Sequence, residues 1–235
     1  MKRQVLLIVL IVVTLGCKSE TVQPEEFKDR TPIDGLKYLA LGDSYTIGEG
    51  VAESQRYPVQ LGDSLKKYDI LLDSIRIIAR TGWTTDELFR AIDQATLTPP
   101  YDLVTLLIGV NNQYRGRTPE NYRQEFSQLL ARAISFAGND PKSVIVLSIP
   151  DWGVTPFAQG RDRESIARDV DVFNAINQQE TLNAGAFYVN VTPVSRDAVS
   201  RPELLAPDGL HPSGLMYAMW VNDLLPFARE ILTKP

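Results

Sequence analysis

Residues 37–45 read KYLALGDSY, an apolar run that ends at Leu41 and passes directly into Gly42-Asp43-Ser44-Tyr45. A short, nearly continuous apolar run followed by a turn residue is typical of a strand buried on both faces of a parallel sheet. Ligands of such sheets bind beyond the carboxyl ends of the strands. The segment therefore predicts an α/β fold in which Ser44 stands at the ligand-binding edge, where a strand gives way to a helix.

Four more runs of the same character follow along the chain: Ser74–Ala79, Leu103–Ile108, Val144–Ile149 and Ala186–Val191. Amphipathic segments separate them and carry helix signals, such as the capping box Thr84–Glu87 and the N-cap with proline at Thr118-Pro119. A last helix is predicted from about Ser213 through Trp220, with Pro226 as a kink or stop. The alternation of strands and helices predicts a parallel sheet of about five strands with helices on both faces.

The composition of the 235-residue chain excludes several classes of function. A net charge of −5 provides no basic surface for nucleic acid. The single cysteine, Cys17, rules out an internal disulfide framework and a cysteine-rich zinc site. The single histidine, His211, leaves few ways to build a histidine metal site, so no metal site is expected. Any proton transfer through an imidazole must therefore use His211.

The beginning of the chain has the features of a targeting segment. Two basic residues precede the apolar run Val5–Leu15, which is too short for the ~20 residues of a membrane-spanning helix. A basic start, a short apolar stretch and a small residue before the cleavage point are typical of a secretory signal. Cys17 follows Gly16 directly, and this arrangement resembles a bacterial lipoprotein signal, in which the cysteine is lipidated.

We therefore predict a signal peptide at residues 1–16, a lipidated Cys17, a polar linker at residues 17–34 and one domain at residues 35–235. The protein would be exported and held at a membrane of the cell envelope by its lipid. The alternative is a buried N-terminal strand or helix with Cys17 as a plain apolar residue, and the polar stretch after Cys17 disfavours it.

Ser44, Asp208 and His211 are the candidate catalytic residues. A serine hydroxyl is a weak nucleophile until a base removes its proton, and His211 is the only imidazole. Asp208 lies three residues before His211, close enough to fix the tautomer of the ring and to stabilise the imidazolium. A tetrahedral intermediate also needs donors for its oxyanion, and the candidates are the Ser44 N–H, the Gly82 N–H and the Asn111 side-chain amide.

Ser44, Gly82, Asn111 and His211 stand in the order of the four sequence blocks of the GDSL/SGNH hydrolases, a family that the chain resembles over essentially the whole predicted domain. The resemblance implies a flavodoxin-like three-layer α/β/α sandwich. It also implies hydrolysis of carboxylic esters and thioesters of lipids, aryl alcohols or acylated sugars, without a cofactor.

Two positions depart from the family pattern, and one stretch imitates it. Tyr45 stands where leucine is usual, and Asn112 stands where aspartate is common. Asn112 is not an expected oxyanion donor, so catalysis should survive that exchange. The literal tetrapeptide GDSL occurs at Gly62–Leu65, in a helical pattern rather than after a strand, so Ser64 is predicted to lie on a helix surface.

Each motif taken alone has an ordinary structural explanation. Asp208-x-x-His211 is a common satisfied turn, Gly82 suits a turn, and Asn111 suits a loop cap. Their joint occurrence at one predicted edge favours catalysis. Asp43 is predicted to be structural and to bond the backbone of its own loop.

Trp83, Trp152, Tyr114 and Arg80 are further candidates for substrate binding because they follow predicted strand ends. The aromatic side chains could line an acyl or aryl pocket, and ordinary packing explains them equally well. Arg80, together with Arg115, could meet an anionic group of the substrate, although surface arginines are more often solvated.

Three functions stay open at this stage. The first is a serine esterase that forms an acyl-enzyme on Ser44 and acts on lysophospholipid-like or simple acyl esters. The second is an acetylesterase acting on polysaccharide of the cell envelope. The third is a non-catalytic binding module on a hydrolase fold, since a fold does not fix a function. The intact set of candidate catalytic residues argues against the third.

Overall fold

The computed structural model of the protein describes residues 33–234. The predicted signal peptide, Cys17 and most of the predicted linker lie outside the described residues.

Five parallel strands form one sheet in the order β2-β1-β3-β4-β5. They are β1 (Ile33–Gly42), β2 (Ile70–Ala79), β3 (Leu103–Leu107), β4 (Val144–Leu147) and β5 (Phe187–Val189). This is the strand order of a flavodoxin-like doubly wound sheet, and it confirms the expected fold class. β1 includes the last two residues of the predicted linker.

Helices cover both faces of the sheet. The described residues form α1 (Ser44–Ile47), α2 (Tyr57–Lys66), α3 (Thr85–Gln94), α4 (Val110–Tyr114), α5 (Pro119–Phe136), α6 (Arg163–Asn183), α7 (Thr192–Arg196) and α8 (Gly214–Leu232). α2 packs against α8, while α5 packs against α3 and α6. In the part of the chain that the structure describes, no helix has the length and apolar character needed to cross a membrane.

The register of the central strands brings their carboxyl ends together. Gly42 at the end of β1 pairs with Ala79 of β2 on one side and with Leu107 of β3 on the other. The loops that follow these three strands therefore start side by side, which places the predicted motifs at one edge of the sheet.

Two details differ from the sequence predictions. β2 is four residues longer than predicted and alternates between buried and exposed positions, so the expectation of burial on both faces is wrong for this strand. The reason is its place at the edge of the sheet, which leaves part of its surface in water.

Of the two outcomes predicted for Pro226, a kink or a stop, the stop is wrong, because α8 continues past this residue to Leu232. Proline inside a helix removes one hydrogen bond and costs ~3 kcal/mol. Leu224 and Ala228, on either side of it, are fully buried, and Ile231 and Leu232 are nearly so. Packing of this apolar face stabilises the last turns more than the proline destabilises them.

Candidate active site

Ser44 is the first residue of α1 and follows β1 after a single residue. The turn between them is tight: a Cβ at position 42 would lie 2.4 Å from the carbonyl oxygen of Leu107, so glycine is required there. Asp43 caps the short helix, and its Oδ1 accepts the Tyr45 N–H at 3.0 Å, as predicted for a structural residue. These contacts hold Ser44 at the carboxyl end of β1.

His211 and Asp208 form a close pair. His211 Nδ1 lies 2.6 Å from Asp208 Oδ2, and Asp208 Oδ1 accepts the N–H groups of Leu210 and His211, each at 3.0 Å. Burial raises the pKa of Asp208, and the hydrogen bonds from the His211 ring and these two N–H groups outweigh it, so its pKa lies below the usual range. Asp208 is therefore an anion that can fix the ring and stabilise an imidazolium.

Backbone hydrogen bonds close the loop that carries Asp208 and His211. Leu205 and Pro212 form an antiparallel bridge, and the Ala206 N–H donates to the His211 carbonyl oxygen at 2.8 Å. Gly50 approaches from the loop after α1, where a Cβ would lie 3.0 Å from Asp208 Oδ2. Its φ of +80° is a second reason for glycine at this position.

One pocket of about 150 Å³ brings the predicted residues together: Ser44, Gly82, Asn111 and His211 all line it. In the described part of the chain, the His211 ring hydrogen bonds to Asp208 and makes no direct hydrogen bond to Ser44. Such bonds are often long without substrate and tighten in the Michaelis complex. The Ser44 hydroxyl and a His211 ring oriented by Asp208 therefore face the same space.

The two other oxyanion-donor candidates are held by their neighbours. Gly82 has a φ of +86°, and its carbonyl oxygen accepts a hydrogen bond from Arg115 at 2.6 Å, which fixes the turn after β2. Asn111 Nδ2 donates to the carbonyl oxygen of Trp83 at 2.9 Å. An amide nitrogen carries two hydrogens, so one remains for an oxyanion.

A buried polar network stands behind these donors and centres on Asn112, which is fully buried. Its Oδ1 accepts the Thr85 N–H at 3.0 Å, and its Nδ2 donates to Thr85 Oγ1 at 2.6 Å. The Thr85 hydroxyl donates in turn to Glu125, which forms an ion pair with Arg117 at 3.2 Å. The network ties the start of α4, next to Asn111, to the start of α3, next to Gly82 and Trp83.

Replacement of Asn111 by alanine is expected to lower kcat for an ester substrate by about 10²–10³, because one oxyanion donor would be lost. Steady-state kinetics with a chromogenic ester would measure this change, and KM should move little. Asn183→Ala, at an exposed position near the end of α6, is the matched control. Equal kcat values for the two variants would remove Asn111 from the oxyanion site.

Asp43 is fully buried, and its Oδ2 has no hydrogen-bond partner among the described residues. Burial raises the pKa of its carboxyl to about 7. An acid whose pKa is raised on folding binds its proton more tightly in the folded state. The contribution of this tighter proton binding to the unfolding free energy is complete below the pKa of the unfolded state, about 4. It is lost as the pH rises through the pKa of the folded state, about 7.

We therefore expect the difference in unfolding free energy, Asp43→Asn minus wild type, to increase between pH 5 and pH 8, because the amide cannot ionise. Urea unfolding at the two pH values measures it. Asp63→Asn is a suitable control, since Asp63 is the exposed aspartate of the second Gly-Asp-Ser sequence. A difference that is the same at both pH values would contradict the expectation.

The predicted substrate-binding residues divide into two groups. Tyr114 and Trp152 line the pocket, whereas Trp83 and Arg80 do not belong to its lining. Trp83 contributes its backbone carbonyl to Asn111, and Arg80 is exposed. Arg115 is held by Glu87 at 3.3 Å and by the Gly82 carbonyl oxygen.

Sequence reasoning missed other lining residues, chiefly Phe157, Leu210 and Tyr45. Tyr45 meets the His211 ring edge-on, with the ring centroids 5.7 Å apart. Because Tyr45 directly follows Ser44, the sequence could have indicated that it lies near the pocket. Phe157 lies in the short 3₁₀ turn Pro156–Ala158, ten residues after the end of β4, and no pattern in the sequence distinguishes it.

Ser64 lies in α2, away from the pocket that Ser44 lines. The glycine of its tetrapeptide has a packing role, since a Cβ on Gly62 would lie 2.7 Å from Ile75 Cδ1. Within residues 33–234, no group of three or more histidine, cysteine, aspartate or glutamate side chains is arranged to hold a metal ion.

Comparisons with known proteins show the family and the fold. Residues 40–219 match the model of the GDSL-like lipase/acylhydrolase family. A search of curated protein sequences finds no match. Among solved structures, the chain is similar to a family 3 carbohydrate esterase of Clostridium thermocellum, with a TM-score of 0.65 and 23% identity over 84% of this chain and 96% of that one.

Two other solved structures are similar at lower identity. The psychrotrophic esterase EstA of Pseudoalteromonas sp., in a structure inhibited by monoethylphosphonate, has a TM-score of 0.64 and 16% identity over 84% of this chain and 99% of that one. The acetyl xylan esterase AlAXEase has a TM-score of 0.63 and 15% identity over 81% and 98% of the two chains. These structural likenesses show the fold. The match to the family model covers most of the sequence, including Ser44 and His211, and the chain therefore belongs to the GDSL-like lipase/acylhydrolase family.

Proposed function

We propose that the protein is a serine esterase that hydrolyses short acyl esters through an acyl-enzyme on Ser44. The observation that carries the proposal is the shared pocket, in which Ser44, the Asp208-paired His211 and the donor candidates Gly82 and Asn111 face one space. His211 accepts the proton of Ser44 as Oγ attacks the ester carbonyl, and the oxyanion is stabilised by the donors. The alcohol leaves with the proton from His211, and a water molecule activated by the same ring hydrolyses the acyl-enzyme.

The size of the pocket supports short acyl groups. Its volume of about 150 Å³ is small beside the ~300–1,000 Å³ of typical drug-sized ligand sites. Its wall is mainly apolar and includes Val110, Leu210 and Phe157. A lysophospholipid-like chain would have to leave this pocket and lie along the surface.

An acetylesterase acting on polysaccharide is a second candidate. The small pocket suits an acetyl group, and Tyr114 and Phe157 at its wall are about half exposed, which would let a sugar ring stack on them. Two of the similar structures are described as an acetyl xylan esterase and a carbohydrate esterase, and this supports the candidate.

A panel of esters tests both candidates. The full-length protein in detergent would be assayed with 4-nitrophenyl acetate, butyrate and octanoate and with acetylated xylan, and an organophosphonate would be tested for labelling of Ser44. We expect hydrolysis that declines with acyl length and stoichiometric labelling of Ser44. Release of acetate from acetylated xylan would favour the second candidate. If the protein showed neither turnover of any ester nor labelling of Ser44, a non-catalytic binding module would be the better account.

We further propose that the enzyme is exported and tethered to a membrane of the cell envelope by a lipid on Cys17. The basic, apolar and small residues that precede this cysteine support the proposal. Mass spectrometry of the mature N-terminus would show a diacylated cysteine, and the Cys17→Ser variant would lose it. An intact N-terminal methionine on the wild-type protein would contradict the proposal.

A further inference from the structure

Three aromatic side chains form one wall of the active-site pocket: Tyr114, Trp152 and Phe157. Each contacts the other two, with ring centroids 5.3 Å apart for Tyr114 and Trp152, 6.0 Å for Trp152 and Phe157, and 6.1 Å for Tyr114 and Phe157. Trp152 anchors this aromatic triad, since it is buried and its Nε1–H donates to Gln113 at 2.8 Å. The triad is therefore a fixed surface beside Ser44 and His211.

Arg161 lies over all three rings of the triad. Its guanidinium carbon lies 5.1 Å from the centroid of Tyr114, 5.4 Å from that of Trp152 and 5.9 Å from that of Phe157. One nitrogen donates to the Tyr114 hydroxyl at 3.1 Å. Gly160, with a φ of +78°, turns the chain just before it, and the Arg161 N–H donates to Ala158. The cation is thus held in place by aromatic faces and one hydrogen bond.

Among the described residues, Arg161 has no acidic partner, unlike Arg115 and Arg117. Arg115 and Arg117 both form ion pairs with carboxylates. In residues 33–234, no ion pair involves Arg161. A guanidinium has five N–H donors, and the Tyr114 hydroxyl satisfies one of them. The remaining donors are available to a ligand on the triad.

We infer that Arg161 selects esters carrying an anionic group, a carboxylate or a phosphate, on the part of the substrate that packs against the aromatic triad. A guanidinium binds either oxyanion with two parallel hydrogen bonds, and one already held by neighbouring rings loses little side-chain entropy on binding. Since the whole chain carries a net charge of −5, the preference would come from this contact rather than from long-range attraction. This inference deepens the proposed function and rests on it.

Matched aryl acetates test the inference. The carboxylate pair is 4-acetoxybenzoate and its methyl ester, and the phosphate pair is 4-acetoxyphenyl phosphate and its dimethyl ester. The quantity measured is the ratio of kcat/KM for the charged ester to that for the neutral one. Comparing this ratio between wild type and Arg161→Gln cancels the difference in intrinsic reactivity within each pair.

We expect Arg161→Gln to lower the ratio about tenfold for at least one pair, and the pair that responds identifies the anion. Arg168→Gln, at an exposed position on α6, should leave the ratio unchanged. The wild-type preference should also weaken as salt is added. A ratio that is the same in wild type and Arg161→Gln for both pairs would overturn the inference, even if total activity falls.

The test separates the inference from the proposed function. Hydrolysis of the neutral esters by wild type, with no change of ratio in Arg161→Gln, overturns the inference alone. If wild type hydrolyses none of the four esters, or if an organophosphonate does not label Ser44, the proposed function is overturned. The inference then falls with it.

Discussion

Replacement of Ser44 by alanine is expected to reduce kcat for 4-nitrophenyl acetate by roughly a millionfold, to the background left by binding and the oxyanion donors. The reason is structural: Ser44 presents its side chain to the pocket from the first turn of α1, beside His211. The change removes one oxygen atom from a position that Gly42 and Asp43 hold through the backbone. We therefore expect the fold, measured by circular dichroism and thermal unfolding, to be unaffected.

The second serine of the same local sequence is the natural control for this experiment. Ser64 also follows Gly-Asp, but it lies within α2. Ser64→Ala should retain the activity of wild type. Substantial activity in Ser44→Ala, or its loss in Ser64→Ala, would show that the nucleophile has been assigned to the wrong serine.

Replacement of His211 by alanine should have an effect as large as that of Ser44→Ala, and the double variant should be no less active than either single variant. Catalytic groups that act as one unit are not additive, because the loss of either one already removes the whole pathway. His211 is the only histidine of the chain, so no second imidazole can take its place. Steady-state kinetics of the three variants measure the non-additivity.

Asp208→Asn should reduce kcat less, by about 10⁴, because the ring keeps its place but loses the anion that fixes its tautomer. The hydrogen bonds from the Leu210 and His211 N–H groups can still be accepted by the amide oxygen.

For the double variant of Ser44 and His211, additive losses of activity would mean that the two residues act separately, and the proposed mechanism would be wrong.

Much of the fold and of the candidate site follows from local sequence. Strand ends could be located because β3, β4 and the second half of β1 (residues 38–42) are buried on both faces and have continuous apolar sequences. The parallel sheet then brings the residues after the strands to one edge, which places Ser44 after β1 and Asn111 after β3 there. Gly82 follows β2, an edge strand whose end could be located although its side chains are only partly buried. The pairing of Asp208 with His211 follows from their spacing of three residues within one loop.

The remainder depends on tertiary contacts that leave no local pattern. Phe157 and Arg161 lie in a connection of short 3₁₀ turns and loop between β4 and α6, and their contacts with Tyr114 and Trp152 depend on the path of that connection. The continuation of α8 beyond Pro226 depends on apolar residues packing on the sheet, which outweighs a local helix-breaking preference. The sequence alone shows that proline disfavours a helix, but it does not show the tertiary packing that outweighs this preference.

The uncharged side chain of Asn112 affects how the buried network behind the pocket responds to pH. Its amide nitrogen lies 3.4 Å from a carboxylate oxygen of Glu125. Two acidic side chains at that separation would compete to ionise and would share a proton, so their hydrogen bonds would rearrange on titration. With an uncharged amide as the partner, Glu125 keeps its ion pair with Arg117, and Asn112 adds no second negative charge beside it. An amide does not ionise in this pH range, so the hydrogen bonds between Asn112 and Thr85, which tie the start of α4 to the start of α3, are the same in mild acid and at neutral pH.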